Sequence, residues 1–574
     1  MTSAKASPTV WMNVTTSANW KRPPVGIVRV EQALCAELEK LYGHENFKRC
    51  VWLDGQFVEW SPEDPELSPH ISRAIDAVLP KTVSFDLARL FLAKAIKKFE
   101  VPAQTAGAAS RGIQLVVPTA PAVPLRPVFG DVLISVGLDW DQPYTRHFYE
   151  LNKKCGVKVI TCCYDLIPVL FPQYCVGEVA QRFKEYFTQL SWGSTAVLCI
   201  SNQTQHDYLN LCREIGAPIR PTQVIPLGDN VPGEGGIVSP QLLQLVSEPF
   251  VLYVSTIERR KNHEVLYRAY HLLVKAGHKE KLPKLVFVGM PGWGVGELLK
   301  DLELDPLTQG LVVQLNHVND AELNLLYKRA EFCVYPSLYE GWGLPVGEAL
   351  ALGKPVLASA KGSLPEVGGN LVRYVDPWNV QAWADSILEL IESPQKLQAM
   401  TDDTVKNYEP RKWHDTAMVV KQFIDKLTPT KALQFELTPG YDMSTEVGVH
   451  AGGELISLGA EGYLMYGPHR SLPAGRFRVV ISAVSEEQSG GSVRIDFVAD
   501  KGKKVYFSEN KKLKGSDVVD SVLADFYVDL SEQVDDFEIR CRTSEGVNLT
   551  ISKINIQEIR DITHQLPNKS KELV

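Results

Sequence analysis

Two carboxylates, Glu340 and Glu348, flank a turn containing Gly341 and Gly343 in FCVYPSLYEGWGLPVGEALALGKPVLA, Phe332 to Ala358. The apolar run Phe332 to Tyr335 suits a buried parallel strand. Pro345 suits a first helical position that needs no N–H, and Gly353 a helix end, so a helix is expected over Pro345 to Leu352. Glycines just ahead of a helix let backbone N–H groups approach an anion at the positive end of the helix dipole. The stretch therefore reads as a phosphate seat. Glu340 at the strand exit and Glu348 in the first helical turn are placed to accept hydrogen bonds from sugar hydroxyls. An ordinary strand–turn–helix unit, with Glu348 only complementing the dipole, fits the same residues.

A second group of charges lies upstream in VLYVSTIERRKNHEVL, beginning at Val251. An apolar strand there delivers Glu258, Arg259, Arg260 and Lys261 to its carboxyl end, just ahead of a helix expected from near His263. Arginine offers a planar fork and lysine a point charge, a pairing that suits the two phosphoryl groups of one nucleotide and neutralises a departing diphosphate. A solvated charge cluster is the plainer alternative. Cations are unfavourable at that end of a helix dipole, which favours an anion held among them.

Both groups need parallel sheets to bring strand ends together. At 574 residues the chain has room for about three or four domains. Its first part alternates candidate strands with helical patterns: Val10 to Val14, Cys50 to Leu53, Val132 to Val136, Val157 to Cys162, Ala196 to Ile200 and Gln223 to Ile225, with helices such as Val30 to Tyr42 and Phe85 to Phe99. Ala103 to Pro127, rich in Ala, Pro and Gly, reads as a surface loop. Gly228 to Pro240 separates this unit from a second, with strands at Phe250 to Val254, Lys284 to Val288, Leu311 to Leu315, Phe332 to Tyr335 and Pro355 to Leu357. Two doubly wound units in tandem set the carboxyl ends of two sheets across a cleft, where open α/β sheets bind ligands. A helical stretch from Ala382 to Lys426 is expected to close the second unit and cross back to the first. Beyond Thr430, alternating runs such as Phe477 to Ile481, Val493 to Phe497 and Phe537 to Cys541 read as an antiparallel β-sandwich. The expected division is 1–231, 232–395, a crossover at 396–430, a sandwich at 431–562 and a polar tail at 563–574.

The net charge of −8, with signs interleaved, excludes nucleic acid as the main partner. No apolar run reaches spanning length and MTSAKASPTVWMNV carries no signal-type segment, so a cytoplasmic protein is expected, peripheral to the inner face of the membrane if a partner brings it there. Ten cysteines without a C-x-x-C pair suggest reduced, buried thiols.

ERRKN, HVNDAELNLLY and YPSLYEGWGLPVGEALALGKPVLAS resemble, in that order, the motifs of glycosyltransferase family 4, retaining GT-B enzymes that use nucleotide sugars. The resemblance implies an α/β GT-B fold, two Rossmann-like domains facing a cleft, here with an all-β sandwich added. It implies that Arg260 and Lys261 bind the donor diphosphate, that Glu340 holds hydroxyls of the donor sugar and that Glu348 holds the ribose. Ser255, Gly341, Trp342, Gly343 and Leu344 would complete the donor contacts, with His317 and Val318 beside the nucleobase. In the first domain, TTSANWKRPPVGIVRVEQAL is similar to the family's glycine loop and following helix, so Gly26 would admit the donor and Arg29 would contact acceptor or phosphate. CYDLIPVLFPQY is similar to a segment that reads His-Asp-Leu in the family. Here Tyr164 precedes Asp165, and a tyrosine hydrogen-bonds but does not titrate near neutrality. Both would lie on the acceptor side, Asp165 binding acceptor or handling a proton. A turn or capping carboxylate before Pro168 fits Asp165 equally. CISNQTQHDYL also matches, with Ser201 as a helix cap.

No carboxylate nucleophile stands out, so retaining transfer implies front-face substitution. The departing phosphate takes the acceptor's proton while Arg260, Lys261 and the helix start stabilise its charge. No dependable Asp-x-Asp site accompanies the motifs, so metal-independent catalysis without a cofactor is expected. Likeness to members with T-I-E-x-R-K-N implies GDP-mannose as donor, with a UDP-sugar as the alternative. The acceptor would be a growing glycan or lipid-linked oligosaccharide in surface-polysaccharide synthesis, with a polysaccharide-assembly protein at the membrane as partner. An inactive GT-B scaffold that binds carbohydrate or assists assembly is the alternative from another class. Arg260, Lys261, Glu340 and Glu348 argue against it, and Tyr164 leaves it open. In GYLMYGPHRSLPAGRFRVVISAV, which resembles sandwich modules of polysaccharide-assembly enzymes, Tyr463, Tyr466 and His469 either meet glycan or, as aromatics of short-strand domains more often do, fill the core.

Overall fold

The computed structural model describes residues 8–20, 26–61, 124–175, 177–229, 233, 235–427, 433–485, 491–513 and 522–559. The helix expected at Phe85 to Phe99, most of the loop read at Ala103 to Pro127, part of the linker after Gly228 and the tail at 563–574 lie outside the described residues.

The first sheet contains β1 (Val10–Asn13), β2 (Phe47–Leu53), β3 (Gln56–Trp60), β4 (Val132–Ser135), β5 (Lys158–Cys163), β6 (Ala196–Cys199) and β7 (Thr222–Val224), in the order β3-β2-β1-β4-β5-β6-β7. Neighbours run parallel except for the β2–β3 hairpin. Its turn is Asp54-Gly55, both with positive φ. β3 is a strand beyond those expected, although Asp-Gly between alternating runs is a hairpin signal. The second sheet contains β8 (Phe250–Val254), β9 (Lys284–Val288), β10 (Val312–Leu315), β11 (Phe332–Tyr335), β12 (Val356–Ala358) and β13 (Val372–Tyr374), all parallel, in the order β10-β9-β8-β11-β12-β13. β1, β4, β6 and β11 are buried along their whole length, as strands covered by helices on both faces must be.

Each sheet reverses its winding once, between β1 and β4 and between β8 and β11. Ligands of doubly wound sheets bind at such a switch point, beyond the carboxyl ends of the strands. The loops after β8 and β11 are the ones that hold Arg260, Lys261 and Glu340.

Six helices position the site: α1 (Ile27–Tyr42), α2 (Val179–Gly193), α3 (Asn202–Glu214), α4 (His263–Lys275), α5 (Leu344–Ala351) and α6 (Trp413–Leu427). α1 buries Val30, Leu34 and Leu38 along one stripe. The stretch expected as one helical segment from Ala382 to Lys426 is three helices, Val380–Glu392, Pro394–Asn407 and α6, because Pro394 and Pro410 interrupt it. α6 returns to the first domain and packs on α1, with His414 Nδ1 3.3 Å from Glu37 Oε2. The architecture is α/β of the GT-B type, two Rossmann-like domains facing a cleft, with an all-β domain appended.

That appended domain has antiparallel sheets of six and five strands around its own core, which includes Phe477, Val479 and Ile481 on alternate positions of Gly475–Ser485. Its aromatics correct the core-filling expectation. Leu464 and Met465 are both fully buried, because a register shift between Tyr463 and Met465 turns consecutive residues inward. Tyr463 and Tyr466 stay half-buried with ring centroids 6.4 Å apart, Arg542 lies over Tyr463, and His469 is exposed. The sandwich docks on the first domain through Ser471 N donating to Lys154 O (2.7 Å) and Phe129 N donating to Gln533 Oε1 (2.8 Å). Lys154 and Phe129 precede β5 and β4, so the docking face is at the strands' amino ends, opposite the cleft. All ten cysteines are free thiols, most of them buried. No helix among the described residues is long and apolar enough to cross a membrane.

Candidate active site

β8 ends at Val254, and the chain then makes a short helical turn at Arg259–Lys261 before Asn262, with φ 59°, leads into α4. That turn aims both cations at one carboxylate. Arg260 Nη1 lies 2.8 Å from Glu340 Oε2, and Lys261 Nζ donates to Glu340 Oε1 at 2.5 Å. Arg260 also donates to Tyr339 O (2.6 Å) and Glu258 Oε1 (2.8 Å), which fixes its fork, while Lys261 Nζ reaches Tyr335 OH at 3.3 Å. Burial alone would raise the Glu340 carboxyl, but Arg260 and then Lys261 pull it down to about 2. The Lys261 ammonium is pulled down by burial and by Arg260, against Glu340. Glu340 is thus a permanent anion between two cations.

Glu348 lies on α5, 5% exposed. Tyr327 OH donates to its Oε2 at 2.9 Å, and Arg29 Nη1, from the first domain, stands 3.5 Å from its Oε1. Burial pushes the Glu348 carboxyl up to about 7, opposed by Tyr327 and Arg29. Arg29 Nη2 is also 3.6 Å from Asp320, so the expected acceptor contact of Arg29 is here a bridge between domains. Two more links close the cleft. Tyr339 OH donates to Asp207 Oδ2 (2.5 Å), and the Glu366 carboxylate accepts from Asn202 N (2.7 Å), Asn202 Nδ2 (2.8 Å) and Gln203 N (2.8 Å) at the start of α3.

The glycines act differently from one another. A Cβ at Gly341 would fall 2.3 Å from the Tyr164 carbonyl oxygen. Its missing side chain therefore admits the backbone of the first domain, a neighbour the sequence reading did not foresee. Gly343, with φ 111°, caps α5, and a Cβ there would strike Leu364 at 2.6 Å. Gly26, φ 50°, starts α1 with open space where its Cβ would be.

Tyr164 is corrected as well. It is buried, and its hydroxyl donates to Val136 O at 2.5 Å inside the first domain, so that hydroxyl is not presented to an acceptor. Asp165 Oδ1 accepts from Ile167 N at 3.0 Å, as the turn-carboxylate alternative requires. Burial raises its carboxyl and Arg260 across the cleft lowers it, which places Asp165 in the field of Arg260 and Lys261. Ser201 caps α3 through Thr204 N. Ser255 Oγ bonds back to Thr256 O, Leu344 opens α5, and Trp342 is buried beneath the Arg411 guanidinium, 5.2 Å from its ring. His317 is exposed with φ 57°. With Val318, Leu242 and Val313 it lines a cavity of about 440 Å³ beside the edge strand β10. Asp139 and Asp141 do not converge: Asp139 accepts from Ser135 and Tyr144, and Asp141 lies 3.6 Å from Arg182.

Residues 239–407, which contain both cations and both glutamates, match the family model described as glycosyl transferases group 1. That match takes in the whole of the second sheet, from β8 to β13. The chain is 30% identical over 237 residues to the O-antigen chain mannosyltransferase B of Escherichia coli, covering 41% of this chain and 61% of that protein. It is 28% identical over 235 residues to the serotype-specific mannosyltransferase WbdA of Escherichia coli, covering 39% of this chain and 28% of that one. The chain thus spans less than two thirds of either relative. Among solved structures, a sucrose-phosphate synthase from Thermosynechococcus elongatus aligns with 73% of this chain and 99% of its own, at 20% identity and a TM-score of 0.46.

Several residues that build the site were given no role by the sequence. Tyr327 ends the HVNDAELNLLY motif and Tyr335 opens YPSLYEGWG, and their hydroxyls meet Glu348 and Lys261 respectively. Asp229 and Arg411 lie on the two chain crossings between domains. Asp229 accepts from Tyr408 OH (2.7 Å) and Arg411 N (2.9 Å), and Arg411 then covers Trp342. A buried acid in the linker after a Gly was the available hint, and its partner lies too far along the chain to pair by spacing.

Proposed function

We propose that the chain is a retaining glycosyltransferase that moves a sugar, mannose from GDP-mannose, to a growing glycan or lipid-linked oligosaccharide in surface-polysaccharide synthesis. One observation carries the reading: Arg260, Lys261 and Glu340 converge at the switch point of the second sheet, beside the start of α5. Two side-chain cations and a helix start there suit a departing nucleoside diphosphate. Glu340 would take hydroxyls of the donor sugar and Glu348 those of the ribose. The choice of mannose rests on the T-I-E-x-R-K-N likeness and on the Escherichia coli relatives being mannosyltransferases, and a UDP-sugar is the alternative donor.

In this reading the acceptor hydroxyl approaches from the first domain, on the face the leaving group vacates. The C1–O bond to the diphosphate breaks as the new glycosidic bond forms, and the acceptor's proton passes to the departing phosphate oxygen. Arg260, with its fork fixed by Glu258 and Tyr339, and Lys261 stabilise the charge that develops, so the scheme needs no metal. The closing contacts of Arg29, Tyr339 and Glu366 would keep water from the donor. We place the enzyme in the cytoplasm, at the inner face of the membrane with a polysaccharide-assembly partner.

Incubation with GDP-mannose and with UDP-sugars, with and without glycan acceptors, tests the reading through nucleotide release and the anomeric configuration of the product. Release with retention supports it. An inverted product refutes the mechanism, and no turnover with any donor favours the scaffold alternative.

A further inference from the structure

A cavity of about 410 Å³ opens on the first domain between the segment after β5, α2 and α3. Resting on the transferase reading above, we propose that this cavity is a subsite for neutral sugar residues of the acceptor glycan, away from the point of transfer.

One hydrogen bond links the cavity wall to the loop that carries Glu340. Asp207 in its wall accepts from Tyr339 OH, and Tyr339 directly precedes Glu340. The Tyr339 ring packs on Phe171 (centroids 4.8 Å apart) and Phe171 on Tyr174 (5.9 Å), all three partly exposed. This aromatic row joins Tyr339 to the segment whose Leu170 and Pro172 line the cavity. Aromatic faces are electron-rich and attract the polarised C–H bonds on one side of a hexose ring.

The lining selects for a neutral, hydroxyl-rich ligand. Pro168, Val169 and Leu170 supply an apolar floor, and Leu170 is 41% exposed. Gln181 and Asn210 supply amides at exposed positions. Their hydrogen bonds, Gln181 to Glu185, Asn210 to His206 and Arg213 to Asn210, are weak exposed pairs within single helices, so sugar hydroxyls can replace them. Lys184 faces two carboxylates, Asp207 and Glu214, so the cavity is net negative and repels a phosphate. A nucleotide or lipid diphosphate is thereby disfavoured, and the donor's cations stand elsewhere, at Arg260 and Lys261. The volume falls in the range of small-ligand sites, about 300–1,000 Å³.

Calorimetry on the full chain provides the test, with α-linked mannotetraose, methyl α-mannoside and tetralysine as probes. The tetrasaccharide is expected to bind at least tenfold tighter than the methyl glycoside, and Asn210→Trp, which fills the cavity, is expected to abolish that advantage. Hydrogen exchange on the wild-type chain with mannotetraose is expected to show protection in 167–172 and 179–186, a readout independent of the variant's folding. Equal affinity for the two sugars, protection elsewhere, or displacement by tetralysine overturns the subsite. Nucleotide release from donor alone is measured in parallel. Release without a tetrasaccharide advantage refutes the subsite only, whereas the advantage without turnover of any donor refutes the transferase reading and leaves a glycan site.

Discussion

Lys261 Nζ and Glu340 Oε1 lie 2.5 Å apart, joining the loop after β8 to the loop after β11. Arg260 holds the other carboxylate oxygen at 2.8 Å, so one anion keeps two cations side by side at the switch point. Without it, two positive charges this close and this buried would repel each other.

Removing one of those cations should cost chemistry more than binding. Lys261→Ala is expected to lower kcat by about 10²–10³-fold with a smaller change in KM, the effect of losing one stabiliser of developing charge. Steady-state kinetics with the donor check this. Near-wild-type turnover excludes the role.

The Glu348 carboxyl, raised from 4.5 to about 7 by burial, makes stability depend on pH. Between those values the folded chain holds a proton that the unfolded chain has released, so stability falls as pH rises from 4.5 to about 7 and levels off above. Glu31, buried and also raised to about 7, acts in the same direction, so the difference between wild type and Glu348→Gln isolates Glu348. Denaturant unfolding should show that difference growing in favour of the variant across this window, towards about 3 kcal/mol. A difference constant with pH would contradict the assignment.

Tyr164→Phe removes only the hydroxyl that donates to Val136 O. The expected result is a loss of about 1 kcal/mol in stability with turnover within twofold of wild type. A tenfold loss of turnover at unchanged Tm would instead put that hydroxyl on a substrate.

Much of this arrangement was readable in the chain, and what was not has definite causes. Phe250–Val254, Lys284–Val288 and Phe332–Tyr335 are bounded as read, because fully buried parallel strands leave unbroken apolar runs between turn residues. The short β13, Val372–Tyr374, offers too few residues to show a pattern. Gly341 was legible as a place of close approach, but the approaching group, the Tyr164 carbonyl, comes from the other domain. The cation pair and Glu340 were recognisable separately. Their mutual contact depends on two loops that only the sheet order makes neighbours.

Glu366 holds the start of α3 across the cleft. Glu366→Ala leaves those N–H groups without their anion and should shift the domains apart. Small-angle X-ray scattering is expected to give a larger radius of gyration with unchanged far-UV circular dichroism. An unchanged radius would show that Arg29 and Tyr339 suffice to hold the domains.

Arg260, Lys261 and Glu340 form the proposed seat of a nucleotide-sugar diphosphate. The most direct measurement is nucleotide release from GDP-mannose by the wild-type chain and by Lys261→Ala at matched folded fractions. Release by the wild type and a loss of at least about a hundredfold in the variant are expected. Equal release by both proteins would contradict that assignment.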